Sequence, residues 1–172
     1  MMSAGIYLQE HTVEWTDEFN QERTRIERAL AGRLLAIEHV GSTSIQGMIA
    51  KPIIDIAVLV ASLKVIDETI KANLASLKYH YVHKPEFPTR LFFRRGTRGA
   101  GTHHLHMFED GSVEWSCMIA FRDFLRAHPE EREQYSELKR CLAKTSSDRQ
   151  VYTAGKGSFV RNILKKAKIS EV

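Results

Sequence analysis

One short segment limits the folds open to this chain more than any other: "PIIDIAVLV", residues 52–60. It is rich in Ile and Val, which is typical of a strand in the middle of a sheet. Asp55 is its only charged residue. Because side chains alternate along a strand, Asp55 projects to a single face, with the small Ala57 beside it. A carboxylate in that position must pair with a cation, bind a metal ion or face a cleft.

The loop before this strand supplies a second feature. It begins with Gly41, Ser42, Thr43 and Ser44. Backbone N–H groups and hydroxyls in such a turn can surround an anion. We therefore expect a phosphate cradle beside Asp55, with an ordinary loop as the alternative. For Asp55 itself, the alternative to a ligand site is an internal salt bridge with Lys51 or Arg94.

The rest of the chain alternates between strand and helix patterns. A helix is predicted from near Thr16 to Gly32, and a second helix capped by Ser62. Strands are predicted in "LLAIEHV", "YHYVH", "TRLFFRR" and "THHLHMF". Two helices follow from Ser112, separated by Pro129, and a last helix comes after "TAGKGS". The expected fold class is α+β, with a mixed sheet of about five strands, flanking helices and a helical C-terminal part.

Composition narrows the class of protein. The chain has 172 residues, which suits a single domain over 1–172. Its net charge is +4 with no block of Lys and Arg, so no dedicated nucleic-acid surface is expected, while anionic small molecules remain candidate ligands. We find neither a secretory signal nor a membrane-spanning stretch. Cys117 and Cys141 are interpreted as reduced core residues of a cytoplasmic protein.

Two histidines suggest a metal site. His104 and His106 lie two residues apart on a predicted strand, so both rings project to one side. With Asp55 they can form a set of two imidazoles and one carboxylate, which suits a transition metal better than Mg²⁺. The alternative is that both rings form hydrogen bonds within a polar cleft. Arg94 lies on the neighbouring predicted strand, where its guanidinium can pair with a phosphate or with Asp55.

The charged run "PEEREQYSELKR" is interpreted as the solvated face of a helix that buries Tyr135, Leu138 and Leu142. On this interpretation its lysine and arginine side chains point to solvent.

Several separate motifs resemble those of the GrpB family. They are "HVGSTSIQGMIAKPIIDIAVLV", "HHLHMF", "AFRDFLRAHPEEREQYSELKRCLA" and "DRQVYTAGKGSFVRNIL", which run from about Trp15 to the last helix. The resemblance implies a nucleotidyltransferase-like fold and kinship with domains fused to dephospho-CoA kinases. It also implies that Lys156, near the start of the final helix, can reach a bound phosphate; an exposed lysine is the alternative.

In active members of the wider nucleotidyltransferase superfamily, a Gly-Ser turn holds nucleotide phosphates, and paired acids on the next strand bind metal ions. By position, Gly41 and Ser42 match the turn and Asp55 matches the first acid. Ala57 stands where the second acid belongs. This departure leaves nucleotidyl transfer open.

The expected function is binding of a phosphate-bearing small molecule, a nucleotide or coenzyme, together with a divalent metal ion, either Mg²⁺ or a transition metal. The alternative is a non-catalytic binding or folding-accessory module that has lost transferase chemistry. A third hypothesis is a metal-dependent hydrolase that uses the two histidines.

Overall fold

A mixed five-stranded sheet forms the centre of the molecule, in a computed structural model that describes residues 6–97, 99–146 and 148–169. The strands are β1 (Ala36–Val40), β2 (Ile54–Val60), β3 (Tyr79–Tyr81), β4 (Arg90–Arg95) and β5 (His103–Glu109). Their order across the sheet is β1-β2-β5-β4-β3. The central strands β2 and β5 run parallel, and every other pairing is antiparallel. Asp55 therefore lies on one of the two innermost strands.

Six α-helices surround the sheet within the described residues. They are α1 (Glu14–Ala29), α2 (Glu68–Ser76), α3 (Val113–Ala127), α4 (Pro129–Thr145), α5 (Arg149–Ala154) and α6 (Gly157–Lys166). The last four follow one another without an intervening strand. This arrangement confirms the α+β class with a helical C-terminal part. In the described part of the chain, no helix combines the length and the apolar character needed to cross a bilayer.

One face of the sheet is closed by α1 and α2. The main core lies here, because alternate side chains of the central strands point to this side. Its members include Ile54, Ile56, Val58, Leu105 and Met107 from the sheet, and Trp15, Phe19 and Ile26 from α1. This core accounts for the apolar pattern that first identified β2.

The opposite face is covered only in part. Near β1, Ala57 and Phe108 pack under Trp115 of α3. A separate cluster joins the loop before β2 to the C-terminal helices, with Ile45 and Met48 against helix residues that include Tyr135. Asp55 lies on this face and keeps 26% of its side chain exposed. We use "the cleft" for the region where Asp55 faces helices α4 to α6, whose Tyr135 and Lys156 lie within electrostatic reach of its carboxylate.

Helix boundaries differ from the predicted ones at two places. The first helix begins at Glu14, so the predicted start at Thr16 is wrong. Thr12 lies ahead of it, and its hydroxyl accepts from the Glu14 amide at 3.4 Å. Ser62 caps a single helical turn instead of α2, which begins at Glu68. Asp67 caps α2, because its Oδ1 accepts from the Ile70 amide at 2.9 Å.

The cysteine prediction also needs correction. Cys141 is exposed on α4, and Cys117 on α3 is half-buried. The interpretation of Cys141 as a core residue is therefore wrong, because the helical spacing turns position 141 away from the apolar stripe. The short helix α5 was not predicted at all.

Candidate functional site

The Gly-Ser turn and Asp55 are in direct contact. Gly41 follows β1 with φ +69°, a backbone conformation that favours glycine. A Cβ atom at this position would lie 2.3 Å from Asp55 Oδ2. No side chain fits there, so glycine is needed both for its backbone angle and for the space it leaves. The sequence brings these two residues together through the antiparallel pairing of Val40 with Asp55.

Two hydroxyls of the turn hold its shape from inside. Thr43, which is 1% exposed, donates from Oγ1 to the Ile53 carbonyl at 3.1 Å. The Thr43 hydroxyl has a single hydrogen, so the 3.0 Å contact with His39 must be a donation from His39 Nε2. Ser44 Oγ donates to the Gly41 carbonyl at 2.6 Å. The Thr43 and Ser44 hydroxyls therefore already donate to backbone carbonyls and are not free to donate to a ligand in the predicted way. Ser42 remains half-buried at the cleft.

Helix α3 anchors the same turn from outside. Arg126 donates from Nε and Nη2 to the Ser44 carbonyl at 3.2 and 2.8 Å. Arg122, which is 7% exposed, donates to the His39 carbonyl at 2.9 Å and to Glu38 at 2.7 Å. These bonds satisfy carbonyl groups on both sides of Gly41, so the turn has a defined position relative to the sheet.

Asp55, His104 and His106 form one group. The parallel register places Asp55 opposite His104 and Ala57 opposite His106. His104 Nδ1 lies 3.0 Å from Asp55 Oδ1, and His106 Nε2 lies 3.9 Å from the same oxygen. One ligand atom from each of the three lies within 4.8 Å of the other two. Among the described residues Asp55 contacts His104 and forms no ion pair with Lys51 or Arg94, so the two partners suggested for an internal salt bridge are wrong.

The charges in this group suit metal binding. Burial opposes ionisation of Asp55, but the hydrogen bond from His104 and the proximity of His106 hold its pKa below the ordinary value. Burial lowers the pKa of His106. Its Nδ1 atom is buried and has no hydrogen-bond partner in the described part of the chain. A carboxylate and a neutral imidazole are the protonation states that metal ligands require.

A buried lysine reaches the turn from α4. Lys139 is 2% exposed, and its Nζ donates to Ser42 Oγ at 3.1 Å and to the Ile49 carbonyl. Within residues 6–97, 99–146 and 148–169 it has no carboxylate partner. Burial lowers the pKa of Lys139 to about 7, and repulsion by Lys156 and Arg140 adds to this.

The prediction that the charged run of α4 is solvated is therefore wrong for Lys139. The signal was present in the sequence, because Lys139 lies four residues after Tyr135 and so shares its face of the helix. Its Nζ lies 4.7 Å from the centre of that ring.

Two more lysines flank the ring of Tyr152. Lys51 Nζ lies 4.2 Å and Lys156 Nζ 4.7 Å from its centre. Burial lowers the pKa of Lys51 to about 8, with repulsion by Lys156 and Arg149 as further causes. Burial also lowers the pKa of Lys156, and the negative charge of Asp55 opposes that shift. The structure thus places Lys156 within electrostatic reach of Asp55.

Arg94 faces a different part of the open sheet. It pairs with His104 across the sheet, and its Nε donates to the Gly96 carbonyl at 3.2 Å. Both line a cavity of about 840 Å³, called here the basic cavity. Its lining includes four basic residues, one acidic residue and two rings: Lys51, Lys84, Arg94, Arg149, Glu86, Phe92 and His104. Arg94 and His104 were predicted as site residues. Lys51 was considered only as a salt-bridge partner of Asp55, and Arg149 was not singled out within its motif.

Comparison with known proteins identifies relatives over nearly the whole chain. The family model described as GrpB protein matches residues 5–166. The UPF0157 protein YqkA of Bacillus subtilis is 36% identical over 90% of this chain, which spans 45% of the length of YqkA. A UPF0157 protein of Halalkalibacterium halodurans is 38% identical over 96% of this chain and 84% of its own length.

A solved structure extends this match to the fold. The conserved protein GrpB from Enterococcus faecalis is 30% identical and superposes with a TM-score of 0.86, over 94% of this chain and 96% of that one. The expected kinship with domains fused to dephospho-CoA kinases is supported by a match to part of one: the dephospho-CoA kinase of Mycolicibacterium paratuberculosis is 26% identical over 90% of this chain and 44% of its own length. Family profile, relatives and superposition agree, and the chain belongs to the GrpB family.

Proposed function

We propose that this protein binds a phosphate-bearing small molecule, a nucleotide or coenzyme, in the cleft between the open face of the sheet and helices α4 to α6. One phosphate would contact Ser42, Lys139 and Lys156. A metal ion held by Asp55, His104 and His106 would lie on the other side of Gly41. The proposal rests above all on Lys139, a buried cation aimed at the Gly-Ser turn.

A buried cation without an anionic partner is costly. Taking an ammonium group out of water costs several kcal/mol, even after the protein relaxes around it. Lys139 recovers part of this cost through the Ser42 hydroxyl and the Ile49 carbonyl. Both are neutral acceptors, and the nearby Lys156 is another cation. A phosphate would supply the missing negative charge and would form charge-assisted hydrogen bonds.

The donor set favours a transition metal in the second part of the site. Mg²⁺ prefers six oxygen ligands in an octahedron, whereas imidazole suits Fe²⁺, Co²⁺, Ni²⁺ or Zn²⁺ better. His106 Nε2 faces Asp55 Oδ1 at 3.9 Å, a separation that a shared metal ion could bridge. The metal would orient the bound phosphate and neutralise part of its charge.

Ala57 favours binding without nucleotidyl transfer as a second candidate function. It is fully buried beside Phe108 and cannot ligate a metal. In the described part of the chain, the group of possible ligands at the cleft contains Asp55 as its single carboxylate. Two-metal transfer requires more carboxylates than this. Incubation with ATP, Mn²⁺ and an added hydroxyl acceptor separates the two functions. Release of diphosphate, with the nucleotidyl group bonded to the acceptor or to water, would indicate transfer; ATP that stays intact with the acceptor present would support the binding module.

Phosphate binding is tested by calorimetric titration of the whole protein with ATP and with inorganic phosphate. We expect Lys139→Gln to weaken ATP binding at least tenfold, because a charged hydrogen bond is lost. Lys144→Gln on the same helix is the matched control, since Lys144 is exposed, and its affinity should match that of the unchanged protein. Equal ATP binding by both variants would contradict the proposal.

Metal binding is tested separately by titration with Co²⁺, whose visible absorption reports coordination. Asp55→Asn and His104→Ala should each weaken Co²⁺ binding at least tenfold, because a ligand of the metal is lost. His80→Ala is the control, since His80 lies on β3 with an exposed side chain. If Asp55→Asn leaves the spectrum unchanged, Asp55 is not a ligand.

A further inference from the structure

We propose that the basic cavity is a second phosphate subsite, so that the natural ligand carries phosphate groups at more than one position. This inference rests on the proposed function, because the first phosphate is placed at the Gly-Ser turn. It adds a class of ligand: molecules with a chain of phosphates, or with phosphates at two ends.

The size and lining of the basic cavity suit part of a small molecule. Its volume of about 840 Å³ lies in the range of small-molecule sites. Phe92 contributes an aromatic wall, with its ring centre 5.2 Å from that of His104. His104 lines the basic cavity and also contacts Asp55, so it belongs to both parts of the site.

The charges of the basic cavity are largely unpaired. Lys51, Arg94 and Arg149 have no ion pair with a carboxylate in the described residues. Arg94 and Arg149 donate instead to the carbonyls of Gly96 and Gly99. Lys84 differs, because its Nζ lies 3.2 Å from Glu86. Three cations thus face the basic cavity without neutralisation, which is the arrangement that binds multiple anionic groups.

The lysines connect this cavity to the Gly-Ser turn. Lys51 lines the basic cavity and lies over one ring, Tyr152, together with Lys156. Lys51 is electrostatically coupled to both Lys156 and Arg149. Lys156 is coupled in turn to Lys139 and Asp55. In the described residues, a series of neighbouring cations therefore links the Gly-Ser turn to the basic cavity, with Asp55 and the cavity-lining Glu86 as the nearby carboxylates.

A ligand with several phosphates gains from this continuity. Once its first phosphate is bound at the turn, the second group binds as an intramolecular event with a high effective concentration. A ligand with a single phosphate lacks that gain. Affinity for multiply phosphorylated probes should therefore depend on both subsites, and affinity for inorganic phosphate on the turn alone.

The experiment is calorimetric titration of the whole protein with inorganic phosphate, tripolyphosphate and a sugar bisphosphate. Arg149→Gln and Arg94→Gln should each weaken binding of tripolyphosphate or the bisphosphate about tenfold and leave phosphate binding unchanged. Lys139→Gln should weaken all three. The matched control is Lys144→Gln, which removes an exposed cation that does not line the basic cavity. Thermal unfolding of each variant checks that the fold is retained.

The outcomes separate the two proposals. If Arg149→Gln and Arg94→Gln bind both multiply phosphorylated probes as the unchanged protein does, the second subsite is refuted, while a loss in Lys139→Gln still supports the turn. If Lys139→Gln binds every probe normally, the proposed function fails and this inference fails with it. Of the two probes, the one that responds to Arg149→Gln identifies whether the phosphates form a chain or lie at two ends.

Discussion

Two buried polar regions lie on opposite faces of the sheet, and they differ in whether the buried charge has a partner of opposite charge. On the closed face, Glu22 of α1 is 3% exposed and accepts from three donors. Its oxygens lie 3.0 Å from Tyr79 Oη, 2.8 Å from Arg95 Nη1 and 2.7 Å from Arg25 Nη1. In the cleft, Lys139 is equally buried but meets only neutral acceptors.

The difference distinguishes a structural charge from one that serves a ligand. Breaking a satisfied buried pair costs stability because a partner is left uncompensated. A buried cation that has no anionic partner already carries such a cost in the folded protein. Proteins keep local costs of this kind mainly at functional sites. Glu22 therefore belongs to the architecture, and Lys139 to the proposed phosphate site.

The largest expected effect comes from breaking the paired region. Glu22→Ala leaves Arg95 and Tyr79 without their common acceptor, so we expect the free energy of unfolding to fall by about 3 kcal/mol. Urea unfolding measures it. Glu27→Ala on the same helix is the control, because the Arg23–Glu27 pair is solvent-exposed and worth less than about 1 kcal/mol. If Glu22→Ala lowered the free energy of unfolding by less than Glu27→Ala does, Glu22 would not be a stabilising buried charge, and the two regions would not differ as described.

Adding a methyl group at Gly41 in the cleft should lower stability less than Glu22→Ala does, but should abolish ligand binding. Gly41→Ala introduces a Cβ against Asp55 at a backbone angle of φ +69°. We expect a loss of about 2 kcal/mol by urea unfolding, together with loss of ATP and Co²⁺ binding. Gly111→Ala is the control, because its φ is also positive, +80°, but no atom lies within 4 Å of the added group. Equal losses in both variants would show that the Asp55 contact is unimportant.

The smallest change in the free energy of unfolding, and an increase in place of a decrease, is expected from removing the unpaired charge of Lys139. The pKa of Lys139 is about 7 in the folded protein, against 10.5 ordinarily. Between these values the unfolded chain binds more protons, so stability should rise with pH from about 7 to about 9, by at most about 1.4 kcal/mol per pH unit. In Lys139→Met we expect a shallower rise, and stability about 1 kcal/mol higher at neutral pH.

Urea unfolding over this pH range measures both quantities. Lys144→Met, at an exposed position of the same helix, should keep the slope of the unchanged protein. A Lys139→Met variant with an unchanged slope would show that Lys139 is not held at a lowered pKa.

Local patterns in the sequence predicted the sheet and half of the candidate site. The apolar run around Asp55 and the His-x-His spacing follow from alternation along strands, which tertiary structure rarely overrides in the middle of a sheet. The contact between Gly41 and Asp55 follows from the antiparallel register, which pairs Val40 with Asp55. These features depend on neighbours in sequence or in the sheet.

The cations of the cleft could not be identified in this way. Lys51 is in a loop and Arg149 begins a short helix, and their approach depends on how α5 packs. That packing is close: a Cβ on Gly155 would lie 2.6 Å from Leu142 Cδ2. Lys139 lies in a run of charged residues and was not distinguished from its neighbours. Helical spacing places it on the inner face, but the charged composition of the run suggested solvent.

The parallel register of β2 and β5 carries one more consequence. Leu105 and Met107 alternate with His104 and His106, and both are fully buried in the main core. A slip of a single residue would turn these apolar side chains toward water and direct His103 at the cleft instead. Mutations that loosen the packing under α1 should therefore misalign the imidazoles before they abolish the fold. The positions of His104 and His106 on the open face thus depend on the apolar packing of Leu105 and Met107 on the closed face.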